Sequence, residues 1–465
     1  MIPPPVPSGG TVSLAAIPYR EPSMYAEHRR RFLKHLSTTG TAAVIPTNRS
    51  MVRNHDCDFR FRPSSDFWYL TGFAEPEACL VLLPDLEGDG PGRSILYLRE
   101  LDKLKEIWNG RRLGLDAAPE ALGVDEARNI ESLWEDLPEC LTGYEEVVFG
   151  MGFDAERDRK MGEVLTAVRG KARGGIRPLT SMVDHTPALH ELRLFKSEAE
   201  IDLIRKACAI TTEAHAAAMA ATAPGMNERE IDALVEYTFK RRGSTGAAYN
   251  NIVAGGGNAC ILHYVENNAE LRDGDLLLID AGAEWDYYSS DVTRTFPING
   301  RFNDEQRAIY EIVLDAQMKA IEHSVPGVSF VSIHDVALRC LVEGLIGLGL
   351  LKGSADELIE SRGYMDFYPH RTGHWMGLDV HDCGYYANEG SSRLLEPGMI
   401  FTIEPGLYVD PANQDVDERW RGIGVRIEDD ILITNDGHEV LTAAIPKSVE
   451  AVEAACGAPV PEPAA

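Results

Sequence analysis

The chain has 465 residues, more than one hydrophobic core ordinarily serves, and its 44% hydrophobic and 25% charged content is that of a globular protein. A net charge of −28 opposes binding to nucleic acid or to anionic membranes. No apolar run is long enough to span a bilayer, and MIPPPVPSGG lacks the basic start and apolar stretch of a secretory signal, so a cytoplasmic protein is expected.

In chain order, the pattern predicts a helix from about Met24 to Leu36 and a strand over Thr41–Pro46. The apolar runs Ala78–Pro84 and Ser94–Glu100 read as buried strands, separated by a DLEGDGPG turn. The first half is therefore mixed α/β. Periodicity fades between Arg177 and Arg193, which divides the chain into an α/β domain over 1–188 and a second domain over 189–448. Residues 449–465, rich in Ala, Pro and Glu, are expected to be a flexible tail. The eight cysteines form no C-x-x-C pair and sit mostly among apolar residues, the pattern of reduced thiols in a cytoplasmic protein.

The second half carries a weak internal duplication. Ser197 with Glu200, and Asn303 with Gln306, each place a capping residue three positions before Glu or Gln at the start of a long helix. Each helix is followed by a Pro-Gly pair (Pro224-Gly225, Pro326-Gly327) and a new N-cap, Asn227 or Ser329. Then Gly274-DLLLI-Asp280 matches Gly398-MIFTI-Glu404, and a strand carboxylate follows each, at Asp291 and Glu428. Two such halves packed about a pseudo-twofold axis would gather these four carboxylates in one place.

Like charges among apolar strands such as LLLI and IFTI raise one another's pKa and are costly to bury without compensation. Arg426 would supply one positive charge; two divalent cations would supply four, and oxygen ligands suit Mn²⁺ or Mg²⁺. His370, His374 and His381 cluster nearby in sequence. The His370/His374 spacing matches a helical zinc motif, but Arg371 stands where its glutamate belongs, and Gly373 and Gly377 oppose a helix. Singly, Asp280 would bind a turn, Asp291 would pair with Arg294 and Glu428 with Arg426. Gly255–Gly257 lacks the Lys-Ser/Thr of a phosphate loop and reads as a turn, while Arg62 and Asp66 read as stabilising the first domain.

With Asp280, Asp291, His374, Glu404 and Glu428 in hand, the sequence resembles the pita-bread metallopeptidases, and among them the Xaa-Pro aminopeptidases. The resemblance runs through FRPSSDFWYLTGFAEPE (Phe61–Glu77), WNGRRLG (Trp108–Gly114), ILHY (Ile261–Tyr264), FYPHRTGHW (Phe367–Trp375), EPGLY (Glu404–Tyr408) and GVRIED (Gly424–Asp429). It implies an α/β N-terminal domain of the creatinase/aminopeptidase P type that covers the site and mediates oligomerisation. It also implies an α+β pita-bread C-terminal domain with an internal pseudo-twofold repeat.

The resemblance further implies two divalent metal ions, usually Mn²⁺, with Asp291 and Glu428 bridging both, Asp280 on one, and His374 and Glu404 on the other. A hydroxide shared by the metals would attack the bond preceding a penultimate proline, with Glu404 shuttling its proton to the departing nitrogen. His263, His370 and His381 would place substrate and stabilise the intermediate, and Tyr408 and Arg426 would line the cleft. Trp108 would reach towards a neighbouring subunit of a homo-oligomer, a dimer or tetramer; alone, it reads as ordinary packing. The alternatives are a prolidase, which needs a cationic clamp for the free proline carboxylate, and a non-catalytic pita-bread binding module, which typically lacks metal ligands that all stand here.

Overall fold

The computed structural model describes residues 22–86, 90 and 92–458, and the described residues fall into two compact units that divide between Leu189 and His190. In the first unit, helix α1 (Pro22–Thr39) precedes a six-stranded mixed sheet. Its strands are β1 (Thr41–Pro46), β2 (Cys79–Leu83), β3 (Arg93–Leu98), β4 (Glu126–Asn129), β5 (Glu146–Val148) and β6 (Ser181–Val183), in the order β4-β3-β2-β1-β5-β6. Strand β2 runs antiparallel to both of its neighbours, β1 and β3, whereas β4, β5 and β6 pair parallel with their neighbours. All five residues of β2 are buried, which is why CLVLL is continuously apolar rather than alternating. Helix α2 (Lys103–Asn109) differs: Asp102 caps it, yet none of its residues is buried.

The second unit is α+β and repeats itself. Helix α5 (Glu198–Ala221), following α3 (Leu133–Cys140) and α4 (Ala155–Gly170) of the first unit, opens where the Ser197 N–H donates to Glu200 at 2.8 Å. Helix α6 spans Glu228–Arg241, α7 Asp304–His323 and α8 Phe330–Gly347. At the start of α7, Asn303 and Gln306 exchange bonds of 3.1 and 2.8 Å. The turn after each long helix needs φ of +90° at Gly225 and +85° at Gly327, a conformation that glycine adopts without strain.

Each turn is then tied down by the same three backbone bonds. Gly225 donates to Leu271 and Gly327 to Leu395, both at 2.8 Å; Leu271 donates to Met226 and Leu395 to Val328; Glu228 donates to Ala269 and Phe330 to Arg393. Asn227 caps α6 through a 3.0 Å bond from the Arg229 N–H, whereas the Ser329 hydroxyl makes no cap bond and its carbonyl instead accepts from the Ser332 hydroxyl.

Two three-stranded sheets complete the halves. Strands β7 (Ile252–Gly255), β8 (Leu276–Asp280) and β9 (Thr293–Pro297) form one; β10 (Ile400–Ile403), β13 (Asp429–Ile433) and β14 (His438–Val440) form the other. Between β10 and β13 lies a ribbon of β11 (Gly406–Tyr408) and β12 (Gly424–Arg426). Asp280 faces Thr293 across β8 and β9, and Ile403 faces Asp429 across β10 and β13. The halves are joined edge to edge: Glu428 N–H donates to the Thr293 carbonyl at 3.0 Å, and Arg294 donates to the Glu428 carbonyl at 2.5 Å.

Two expectations need correction. Of the four carboxylates only Asp280 lies within a strand; Glu404 follows β10, Glu428 immediately precedes β13, and Asp291 stands two residues before β9. A strand end leaves the regular ladder, so its side chain is freed from strict alternation between sheet faces. The supposed tail begins as helix α9 (Val449–Ala455), whose cap Ser448 accepts from the Ala451 N–H and whose Val449 and Val452 are buried in the unit's core. Residues 459–465 lie outside the described residues.

Candidate metal centre

Two glycines let the site form. A Cβ on Gly282 would lie 1.7 Å from the Ser290 carbonyl oxygen, so only glycine allows the chain leaving Asp280 to cross the segment entering Asp291. A Cβ on Gly373 would lie 1.9 Å from the Thr402 carbonyl oxygen, where the histidine loop lies against β10. That contact is fixed by Thr402 N–H donating to the His374 carbonyl at 2.9 Å and Glu404 N–H to the Thr372 carbonyl at 2.7 Å.

These crossings bring all five expected ligands into the wall of one cavity of about 1050 Å³ in the second unit. One ligand atom each from Asp291, His374 and Glu428 lie within 4.8 Å of one another. His374 Nε2 is 3.3 Å from Asp291 Oδ2 and 3.8 Å from Glu404 Oε1. Asp280 joins through Tyr249, whose hydroxyl stands 2.6 Å from Asp280 Oδ1 and 2.5 Å from Asp291 Oδ1.

The charge imbalance is physical. Burial raises Glu428 well above the ordinary carboxylate range, with Asp291, Glu404 and Asp280 adding repulsion. Burial likewise brings Glu404 up to about 7 and raises Asp280 although Arg426 opposes it. Asp291 alone is held low: burial works against it, but the His374 hydrogen bond and charge prevail. His374 rises to about 9 because Asp291 and Glu404 outweigh the burial of its ring. The protein's own cations are too few for this set. Four carboxylates and one imidazole form an oxygen-rich, hard donor set with the charge to hold two divalent ions.

A second layer orients the first. Arg426 donates to Asp280 Oδ2 at 2.6 Å, to the Tyr408 hydroxyl at 3.1 Å and to Thr293 Oγ1 at 3.1 Å. Thr293 in turn donates to Glu428 Oε2 at 2.7 Å. His370 Nε2 lies 2.8 Å from the Tyr408 hydroxyl, and its ring, pushed down to about 3 by burial and then by Arg426, is neutral. His381 packs edge-on against His374 with centroids 4.2 Å apart, and His263 lines the same cavity.

The single-residue pairings are rearranged: Arg294 pairs with Asp429, not Asp291, and Arg426 with Asp280, not Glu428. Trp108 is not core packing either; it lies on α2 in the first unit, 85% exposed. Asp66 is 2.7 Å from His185 Nε2 within that unit.

Sequence reasoning missed Tyr249 and Thr293. Tyr249 lies in AAYNN, outside every motif; its one signal is register, since Ile252 three residues later faces Asp280 across β7 and β8.

Known proteins resemble this chain in sequence and fold. Residues 202–435 match the model of metallopeptidase family M24, and residues 25–149 that of the aminopeptidase P N-terminal domain. The chain is 45% identical over 428 residues to the Xaa-Pro aminopeptidase of Escherichia coli, covering 92% of this chain and 96% of that protein. The structure of Pseudomonas aeruginosa aminopeptidase PepP superposes with a TM-score of 0.90 at 45% identity, covering 94% and 98% of the two chains. A zinc-substituted E. coli aminopeptidase P in complex with product matches equally well, with a TM-score of 0.90, 43% identity and the same coverage. The gathered donor set and both family matches place this chain in metallopeptidase family M24, with an N-terminal domain of the aminopeptidase P type.

Proposed function

We propose that the chain is an Xaa-Pro aminopeptidase, releasing the N-terminal residue of peptides that carry proline at position two. The observation that carries this reading is the convergence of Asp280, Asp291, His374, Glu404 and Glu428, drawn from five separated segments, on one cavity. We assign these five as ligands of two divalent ions, with manganese favoured by the oxygen-rich set. Bound there, the ions would supply Lewis-acid stabilisation of developing negative charge and a water acidic enough to react at neutral pH.

The chain's own groups do the rest. As in any peptide hydrolysis, the departing nitrogen must receive a proton to leave as an amine, here the proline nitrogen. Glu404 stands at the cavity wall, 3.8 Å from His370 Nδ1, and is assigned as the carrier of that proton. Neutral His370, held by Tyr408, and Tyr408, held by Arg426, form a fixed polar wall for the substrate backbone. His263 and His381 place the substrate from the remaining sides.

The first unit supports self-association in this reading: Leu104, Ile107 and Trp108 present 75%, 76% and 85% of their surface on α2. Eight free cysteines fit a cytoplasmic setting, and no helix among the described residues is long and apolar enough to cross a membrane.

Metal analysis joined to a tripeptide assay tests the core claim. Two equivalents of metal per chain, loss of Xaa-Pro-Yaa cleavage on chelation and recovery with Mn²⁺ are expected. Undiminished cleavage in chelator would refute it.

A further inference from the structure

The cavity wall holds two permanent cations, Arg426 and Arg371. Arg426 is buried and committed to Asp280, Tyr408 and Thr293. Arg371 is exposed, and its guanidinium makes no hydrogen bond or ion pair with any described residue. Its backbone is fixed, because its carbonyl lies 2.7 Å from His370 Nδ1, one residue from the polar wall. Its charge also reaches the α8 side of the cavity: burial first, then Arg371, pushes His334 down to about 4.

Charge accounting gives Arg371 a role. Two divalent ions would cancel the four carboxylates and Arg426 is tied to Asp280, so Arg371 is left as the exposed charge of the wall. An aminopeptidase substrate has a polarity: its amino end enters the site and its carboxyl end points out. In an extended chain each residue adds about 3.5 Å, so the carboxylate of Xaa-Pro-Yaa lies roughly 7 Å beyond the cut bond. That is the scale on which a long, flexible arginine on the wall meets it. A long peptide carries its carboxylate past this point.

We propose that Arg371 is a specificity-determining residue that receives the C-terminal carboxylate of short Xaa-Pro-Yaa peptides and so favours free oligopeptides over longer or blocked chains. The proposal rests on the aminopeptidase reading. Arg371 does not touch the reacting atoms, so its effect falls on KM rather than kcat. A planar guanidinium suits a carboxylate, and an exposed pair of this kind is worth up to about fivefold in affinity.

The test compares wild type with Arg371→Ala and Arg371→Glu on three substrates: a tripeptide Xaa-Pro-Yaa, its C-terminal amide and a hexapeptide of the same first three residues. Arg371→Ala is expected to lower kcat/KM for the free tripeptide by about fivefold through KM, while the amide and hexapeptide are unchanged. The loss should shrink as salt is raised. Arg371→Glu should invert the preference between acid and amide. As a readout independent of turnover, the dipeptide Pro-Yaa should inhibit Arg371→Ala more weakly than wild type, with its amide unaffected. Equal losses on acid and amide, or no loss on either, would overturn the proposal while leaving the aminopeptidase reading standing. A wild-type protein that cleaves none of the three would overturn both.

Discussion

In the first half of the second unit, β8 ends on Asp280 and β9 begins two residues after Asp291; in the second half, β10 ends just before Glu404 and β13 begins just after Glu428. The helices, the Pro-Gly turns and the three backbone bonds behind them match. The side chains do not. The first half offers aspartates joined by Tyr249, whereas the second offers longer glutamates and adds His374 from the excursion between α8 and β10. After Asp291 comes Val292, buried in the core; after Glu428 comes Asp429, held at about 2 by Arg294 and Lys447 against the upward push of burial. A duplicated scaffold therefore fixes where a carboxylate stands, while the residue type at each equivalent position decides its reach, its partners and its chemistry.

The sharpest way to break this comparison is to remove one central ligand from each half. Asp291→Ala and Glu428→Ala should each reduce cleavage to the level of the chelated protein and lower bound metal, as read by elemental analysis. Normal activity in either variant would mean that the halves do not share the ions.

Glu404 and Asp280 occupy equivalent places and are both assigned as ligands, but only Glu404 is also assigned as the proton carrier. Glu404→Gln should lower kcat by roughly 10²- to 10⁴-fold with little change in thermal midpoint, as expected for a lost proton carrier. Asp280→Asn should instead be rescued in part by excess Mn²⁺. Equal rescue of both variants would erase the distinction.

The join between halves can be cut at Asp429. Asp429→Asn leaves the buried Arg294 and the half-buried Lys447 without their partner and should cost about 3–5 kcal/mol in denaturant unfolding. Because Asp429 titrates lower in the folded state than its ordinary value near 4, its stabilisation is present above roughly pH 4 and is lost as pH falls towards 2. The variant should lack that part of the acid dependence.

The smallest effect belongs to the groups that hold the ligands. Tyr249→Phe in the first half and Thr293→Val, which supports Glu428, should each weaken Mn²⁺ affinity about 10- to 100-fold by titration while the fold persists. A loss confined to Tyr249→Phe would show that the first half alone depends on such support.

Much of this was legible from the residues. The capping pairs, Pro-Gly turns and apolar runs ending in carboxylates are local signals, set by backbone hydrogen bonding and side-chain burial within a few positions. They were enough to read the duplication and to name Asp280, Asp291, Glu404 and Glu428. The α/β character of the first unit was equally local, through TAAVIP, ACLVLLP and the helix before them.

Pairing was not local. Arg294 could have joined Asp291 and instead joins Asp429; Arg426 could have joined Glu428 and instead reaches Asp280. Tyr249 carries no motif and matters only because β7 and β8 align in one register. Trp108 and Arg371 look alike in sequence to residues that end up packed or paired, and only the folded chain leaves them open. Sequence determined which groups exist and the local geometry that carries them. Tertiary structure decided which groups meet, because burial, register and charge balance are properties of segments brought together from far apart.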